Sequence, residues 1–123
     1  MSAKLDDSKP IFIQIAEELE SGILDNTFPE GSRVPSTNEF AAHYQINPAT
    51  AAKGINRLVD EGILFKKRGI GMFVSDGAKE QVAGKRKTQF YETYIVPLIN
   101  EATKLDISQE ELESMIKKGG HSS

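Results

Sequence analysis

Residues 35–74 read PSTNEFAAHYQINPATAAKGINRLVDEGILFKKRGIGMFV, and this stretch decides the fold. Ser36 with Glu39 three residues on is a capping box, in which hydroxyl and carboxylate each satisfy a backbone N–H at a helix start. Asn47 before Pro48 marks a second start, since asparagine caps well and proline loses nothing at a first helical position. That helix runs to Glu61, where Gly62 stops it by supplying a left-handed backbone at no steric cost. Ile63 to Lys67 and Gly71 to Ser75 are strand-length runs joined through Arg68, Gly69 and Ile70, a hairpin whose first strand and tip are basic. Two helices across a tight turn, followed by a cationic hairpin, is a shape that sets a helix into a DNA major groove with a basic loop beside it.

The polarity of the second of these helices supports that reading. With Ala51, Ile55 and Leu58 as the buried stripe, a step of about 100° per residue leaves Ala49, Lys53, Asn56 and Asp60 on the opposite face. A helix that enters the groove by its N-terminal half would carry Asp60 at the far end, away from phosphates. At the hairpin tip, Arg68 beside Gly69 allows close approach to a minor groove. The residues expected to meet DNA are therefore Ser36, Thr37 and Asn38; Asn47, Pro48, Ala49, Thr50, Lys53 and Asn56; and Arg68 with Gly69. Ser36 and Asn47 also have plain capping roles compatible with this.

Upstream, Phe12, Ile15, Leu19 and Ile23 recur at helical spacing, predicting a helix from Pro10 to about Asp25 with Pro10 in its first turn and Glu17, Glu18 and Glu20 on its other faces. Residues 28–31 read as a turn, with proline second and glycine fourth. Arg33 and Val34 form a short extended link able to pair with the hairpin. Downstream, Phe90, Tyr91, Tyr94, Ile95, Leu98, Ala102 and Leu105 make an apolar stripe, interrupted by Pro97, which should kink it against the Thr93 carbonyl. Ser108 and Glu111 cap a last short helix carrying Leu112, Met115 and Ile116. The expected organisation is a winged helix-turn-helix domain over 1–77, a two-helix dimerisation tail over 78–118 and a disordered end over 119–123. The overall class is mainly α with one small β-hairpin. The 46 residues after Gly77 are too few to bury a core alone. A second copy of the chain is the cheapest partner, because soluble oligomers are mostly two-fold homodimers.

Composition sets limits. A chain of 123 residues with 38% hydrophobic and 27% charged content suits one soluble domain with an appendage. No apolar run approaches the about 18 residues of a membrane span, and Met1 to Asp6 shows no signal peptide. Zero cysteines exclude disulfides and thiolate metal sites, and the cytoplasm is the expected location. His43 and His121 are the only histidines, so no metal, cofactor or catalytic set is expected. The net charge of −3 is unevenly spread: residues 53–68 hold five basic side chains against two acidic, and residues 79–87 four against one. A positive face on an acidic body still binds DNA.

Four spaced blocks, Pro10 to Ile15, Gly31 to Ser36, Leu58 to Ile63 and Gly69 to Val74, resemble the N-terminal winged-helix domain of GntR-type bacterial transcription regulators. The resemblance covers roughly residues 10–75. The short tail and the Asn47-Pro48-Ala49-Thr50 opening look like the YtrA-type branch, which lacks a large effector domain and dimerises through C-terminal helices. It implies a homodimer and repression; a two-fold dimer of such units in turn predicts a pseudo-palindromic double-stranded DNA operator, and no membrane partner is expected. An effector, if the chain takes one, is expected around Phe90 and Tyr94. Arginines are usual in the family where Asn38, Pro48 and Ala52 stand, so the operator is expected to be read differently; asparagine favours adenine over guanine. Gln45 stands where a turn glycine is common, and Gly54 where alanine is, at about 1 kcal/mol of helix propensity. The missing arginines also support an alternative, a protein-interaction adaptor of winged-helix shape that does not read DNA.

Overall fold

The structure, a computed structural model, describes residues 5–121; residues 1–4 and 122–123, the outer ends of the first and last expected segments, lie outside the described residues. In chain order it contains α1 (Ile11–Leu24), α2 (Thr37–Tyr44), α3 (Pro48–Asp60), β1 (Leu64–Lys67), β2 (Gly71–Val74) and α4 (Ala78–Phe90). A π-helical turn (Tyr91–Ile95), α5 (Val96–Lys104) and α6 (Gln109–His121) follow. The described residues form two compact units, one ending at Gly84 and the other beginning at Lys85.

In the first unit, Ile15, Leu19 and Ile23 of α1 meet Phe40 of α2, Ala51, Ile55 and Leu58 of α3, and Ile63, Leu64 and Val74 of the hairpin in one core. Each such Ile, Leu or Phe contributes about 1.5–3 kcal/mol by leaving water. Ala78 and Val82 are fully buried in the same core. The first turns of α4 thus belong with the wing, and the boundary falls at 84/85 instead of the expected 77/78. Tyr44 ties α2 to α1 by donating to Glu18 at 3.4 Å; burial and the adjacent carboxylate push its phenol up to about 12.

Several local expectations shift. Pro10 is the N-cap (φ −53°, ψ 141°) and lies outside the first helical turn. The Gln14 amide explains this: it donates to the carbonyls of Asp6 and Lys9 at 2.7 and 2.8 Å, tying down the bent segment that leads into the helix. Phe12 is only half-buried. Glu20, expected on an outer face, is buried, because it lies four residues after Ala16 and three before Ile23, on the inward stripe. The turn after α1 is one residue later than expected: Ser32 donates to the Pro29 carbonyl at 3.0 Å. Gly31, at φ 84°, takes the position where a turn of type II needs a positive φ.

The hairpin pairs Leu64 with Val74, Phe65 with Phe73, Lys66 with Met72 and Lys67 with Gly71. Arg33 bridges Phe73 on the outer edge of β2, as the extended link suggested. Glu30 reaches 47 residues along the chain to accept N–H bonds from Gly77 and, from the same carboxylate, Lys79, at 2.9 and 3.1 Å. These bonds cap α4 and hold the Glu30 carboxyl below its usual range.

In the second unit, the interruption at Pro97 takes the form of the π turn. The Val96 N–H bonds the Tyr91 carbonyl, five residues back, which relieves the crowding a proline ring imposes on the preceding α-helical turn. Between α5 and α6, Ile107 donates to Ala102 at 2.9 Å and Asp106 to Thr103 at 3.2 Å, closing α5 with a Schellman pattern. Ser108 Oγ then accepts the Glu111 N–H at 3.1 Å. Gly119 and Gly120, expected in a disordered end, lie in the last turn of α6. Glycine weakens a helix by about 1 kcal/mol but keeps its N–H, so the hydrogen-bond ladder continues through both.

Candidate nucleic-acid interface

The α2 start is built as a closed hydrogen-bonded box. Ser36 Oγ accepts the Glu39 N–H at 3.1 Å, and Glu39 Oε1 accepts the Ser36 N–H at 3.0 Å. Those bonds, with a smaller contribution from Arg33, hold the Glu39 carboxyl below the usual range. Thr37 is half-buried and Asn38 exposed. Gln45 closes α2 in the left-handed region at φ 56°, the conformation that makes glycine common at such a turn. Two residues on, Asn47 Oδ1 accepts the Ala49 N–H at 2.8 Å and caps α3. Asn47, Pro48 and Ala49 are exposed and Thr50 is half-buried. The interhelical turn is thus three residues, and the partial positive charge of the α3 N-terminus faces solvent.

Along α3, Ala51, Ile55 and Leu58 have no exposure, while Lys53 and Asn56 on the opposite face are exposed. An open groove runs along this face, with Phe12 of α1 on one side and Ala49, Lys53, Asn56 and Asp60 of α3 on the other. The Lys53 Nζ lies 4.0 Å from the Phe12 ring centroid, a cation–π contact that gives the lysine a preferred direction. Gly54 is what lets α1 come so close: a Cβ there would stand 2.6 Å from the Phe12 carbonyl oxygen and 2.9 Å from Ile15 Cβ.

The wing tip is a tight turn in which Ile70 donates to the Lys67 carbonyl at 2.9 Å. Gly69 takes φ 77°, leaving Arg68 exposed at the apex. Phe65 and Phe73 stack across the strands with centroids 5.9 Å apart. Lys67 Nζ lies 4.5 Å from the Phe73 centroid and 5.8 Å from that of Phe65. Lys67 and Phe12 are absent from the sequence-based set. Strand alternation could have found Lys67, since residues two apart share a face. Phe12 carried no such signal, because its place depends on how α1 crosses α3. His43 is exposed and meets the Tyr44 ring edge-on at 4.7 Å; no cluster of potential metal ligands occurs among the described residues.

The residues expected at a dimer interface lie in the second unit. Phe90, Tyr91, Tyr94, Leu98, Leu105, Met115 and Ile116 are exposed, Ile95 and Leu112 half-buried, and Ala102 buried. No helix among the described residues is long and apolar enough to cross a membrane.

Residues 13–74 match the bacterial regulatory proteins of the gntR family. The chain is 31% identical to the HTH-type transcriptional repressor YtrA of Bacillus subtilis (strain 168), over 90% of this chain and 85% of that one. A GntR family transcriptional regulator from Listeria monocytogenes superposes with a TM-score of 0.78 at 29% identity, covering 93% of this chain and 98% of that one. The DNA-binding domain of AraR, solved in complex with operator ORX1, gives a TM-score of 0.54 at 28% identity over 61% of this chain and 92% of that one.

Proposed function

The chain belongs to the gntR family of bacterial regulatory proteins, a family of transcriptional regulators and not of enzymes, and on that premise we propose that it represses transcription as a cytoplasmic homodimer bound to a pseudo-palindromic operator. The observation that carries the reading is the exposed outward face of α3. It presents Ala49, Lys53 and Asn56 outward beside a capped, solvent-facing helix start, while the buried stripe on its other side fixes its rotation. Lysine suits the O6/N7 edge of guanine, and asparagine the N6/N7 edge of adenine. The tail supports dimerisation through its exposed aromatic and aliphatic residues, which gain from burial against a second copy. The relative YtrA is a repressor, which favours that sign of regulation.

Replacing the exposed Lys53 by alanine tests the reading. The expected result is an operator affinity lower by at least a few-fold, since a good base contact carries about 1–3 kcal/mol of discrimination, with fold and oligomeric state unchanged. A fall in the ratio of operator to non-specific affinity assigns Lys53 to a base; an equal fall in both assigns it to phosphate. Should neither affinity move, α3 does not lie in the groove, and the adaptor reading replaces this one.

A further inference from the structure

We infer that Arg33 is a phosphate-contacting residue of the DNA interface, held between the wing and the start of α2. The inference rests on the DNA-binding reading above and extends it to a residue outside both the helix-turn-helix and the wing tip. The backbone of Arg33 is pinned on both sides: Val34 donates to the Met72 carbonyl and Val74 to the Ser32 carbonyl, each at 2.9 Å. Its partner across the bridge is Phe73, which pairs in turn with Phe65. Residues directly opposite on a sheet share a face, so Arg33 lies on the same side as the two phenyl rings and Lys67. Along that face the side chain crosses Gly71, where a Cβ would stand 2.7 Å from Arg33 Nε. The missing side chain at Gly71 is the channel through which the arginine runs.

The guanidinium is positioned without being satisfied. Its one ionic partner among the described residues is Glu39, at 3.9 Å, beyond hydrogen-bond reach. That Glu39 oxygen already accepts the Ser36 N–H at 3.0 Å. Half of the Arg33 side-chain surface remains open to solvent, at 51%. A planar fork of donors, carried on a pinned backbone and short of acceptors, suits a tetrahedral oxyanion such as a phosphodiester. Its neighbours are the α2 start and the cationic wing, the two elements whose residues 36–38 and 68–69 are expected to meet DNA. A backbone phosphate gripped here would set register and carry no sequence information.

The test uses the full-length chain and operator duplex recovered from random pools, with Arg33→Gln, Arg33→Lys and Arg68→Ala measured by anisotropy across a salt series. Arg33→Gln should weaken operator and unrelated duplex alike and lower the salt slope by about 0.9, while Arg33→Lys keeps most of that slope. Wild-type slope and affinity in Arg33→Gln, with Arg68→Ala altered, would overturn the inference and leave the DNA-binding reading standing. A wild-type chain that shows no salt-dependent DNA binding would overturn both. If thermal melting shows that Arg33→Gln fails to fold, phenylglyoxal modification of the wild type decides. Shielding of Arg33 by duplex supports the inference. Equal shielding by inorganic phosphate at the same phosphate concentration, or none by duplex, contradicts it.

Discussion

At Gly54 a propensity loss has a packing cause. Glycine costs about 1 kcal/mol against alanine inside a helix, yet an added Cβ would meet the Phe12 carbonyl oxygen at 2.6 Å and Ile15 Cβ at 2.9 Å. Backbone cannot yield there without moving α1, and overpacking of this kind costs about 1–3 kcal/mol. Gly54→Ala should therefore destabilise the chain by up to about 2 kcal/mol, read as a lower urea midpoint at unchanged slope; a stabilised variant would show that α1 and α3 do not approach as described. The anomaly at position 54 was legible in the sequence, and its cause was not, because it lies in a contact between helices about 40 residues apart in the chain. Arg33 escaped for the same reason. Nothing local distinguishes it from a solvated arginine until Phe73 and Gly71 are brought beside it.

At the scale of elements, what could be read was what is encoded within four residues. The Ser36–Glu39 box, the Asn47 cap and the Gly62 stop all stand where the spacing put them. The turn at Pro29 moved by one residue because a distant bond, Gly31 N–H to the Val74 carbonyl at 2.8 Å, sets its register. The Glu30 cap on α4 bridges segments too far apart in sequence for any motif to register. For α5 and α6 the stripe was legible, and the π turn that accommodates Pro97 was not. Their exposed residues make a direct prediction. Tyr94→Asp combined with Leu98→Asp puts two charges onto surface proposed to be buried between copies, where an unpaired charge costs several kcal/mol. Sedimentation should find the wild type dimeric and the double variant monomeric; a double variant that stays dimeric would remove this face from the interface.

For the whole molecule, a net charge of −3 and a pI of 5.4 coexist with local excesses of positive charge, and it is the distribution that governs association with DNA. The acidic excess lowers non-specific affinity, and in the proposed reading contacts from α3 supply much of the discrimination, against a background that weakens steeply with salt. Two copies related by a two-fold axis would present two such helices, and the DNA they select would carry the same symmetry. Selection of duplexes from random pools by the purified full-length chain, followed by sequencing, tests this most directly. The account predicts an enriched pseudo-palindrome whose half-sites lie about one helical turn, or a multiple of it, apart. Recovery of no enriched sequence, or of a single half-site without its inverted copy, would contradict it.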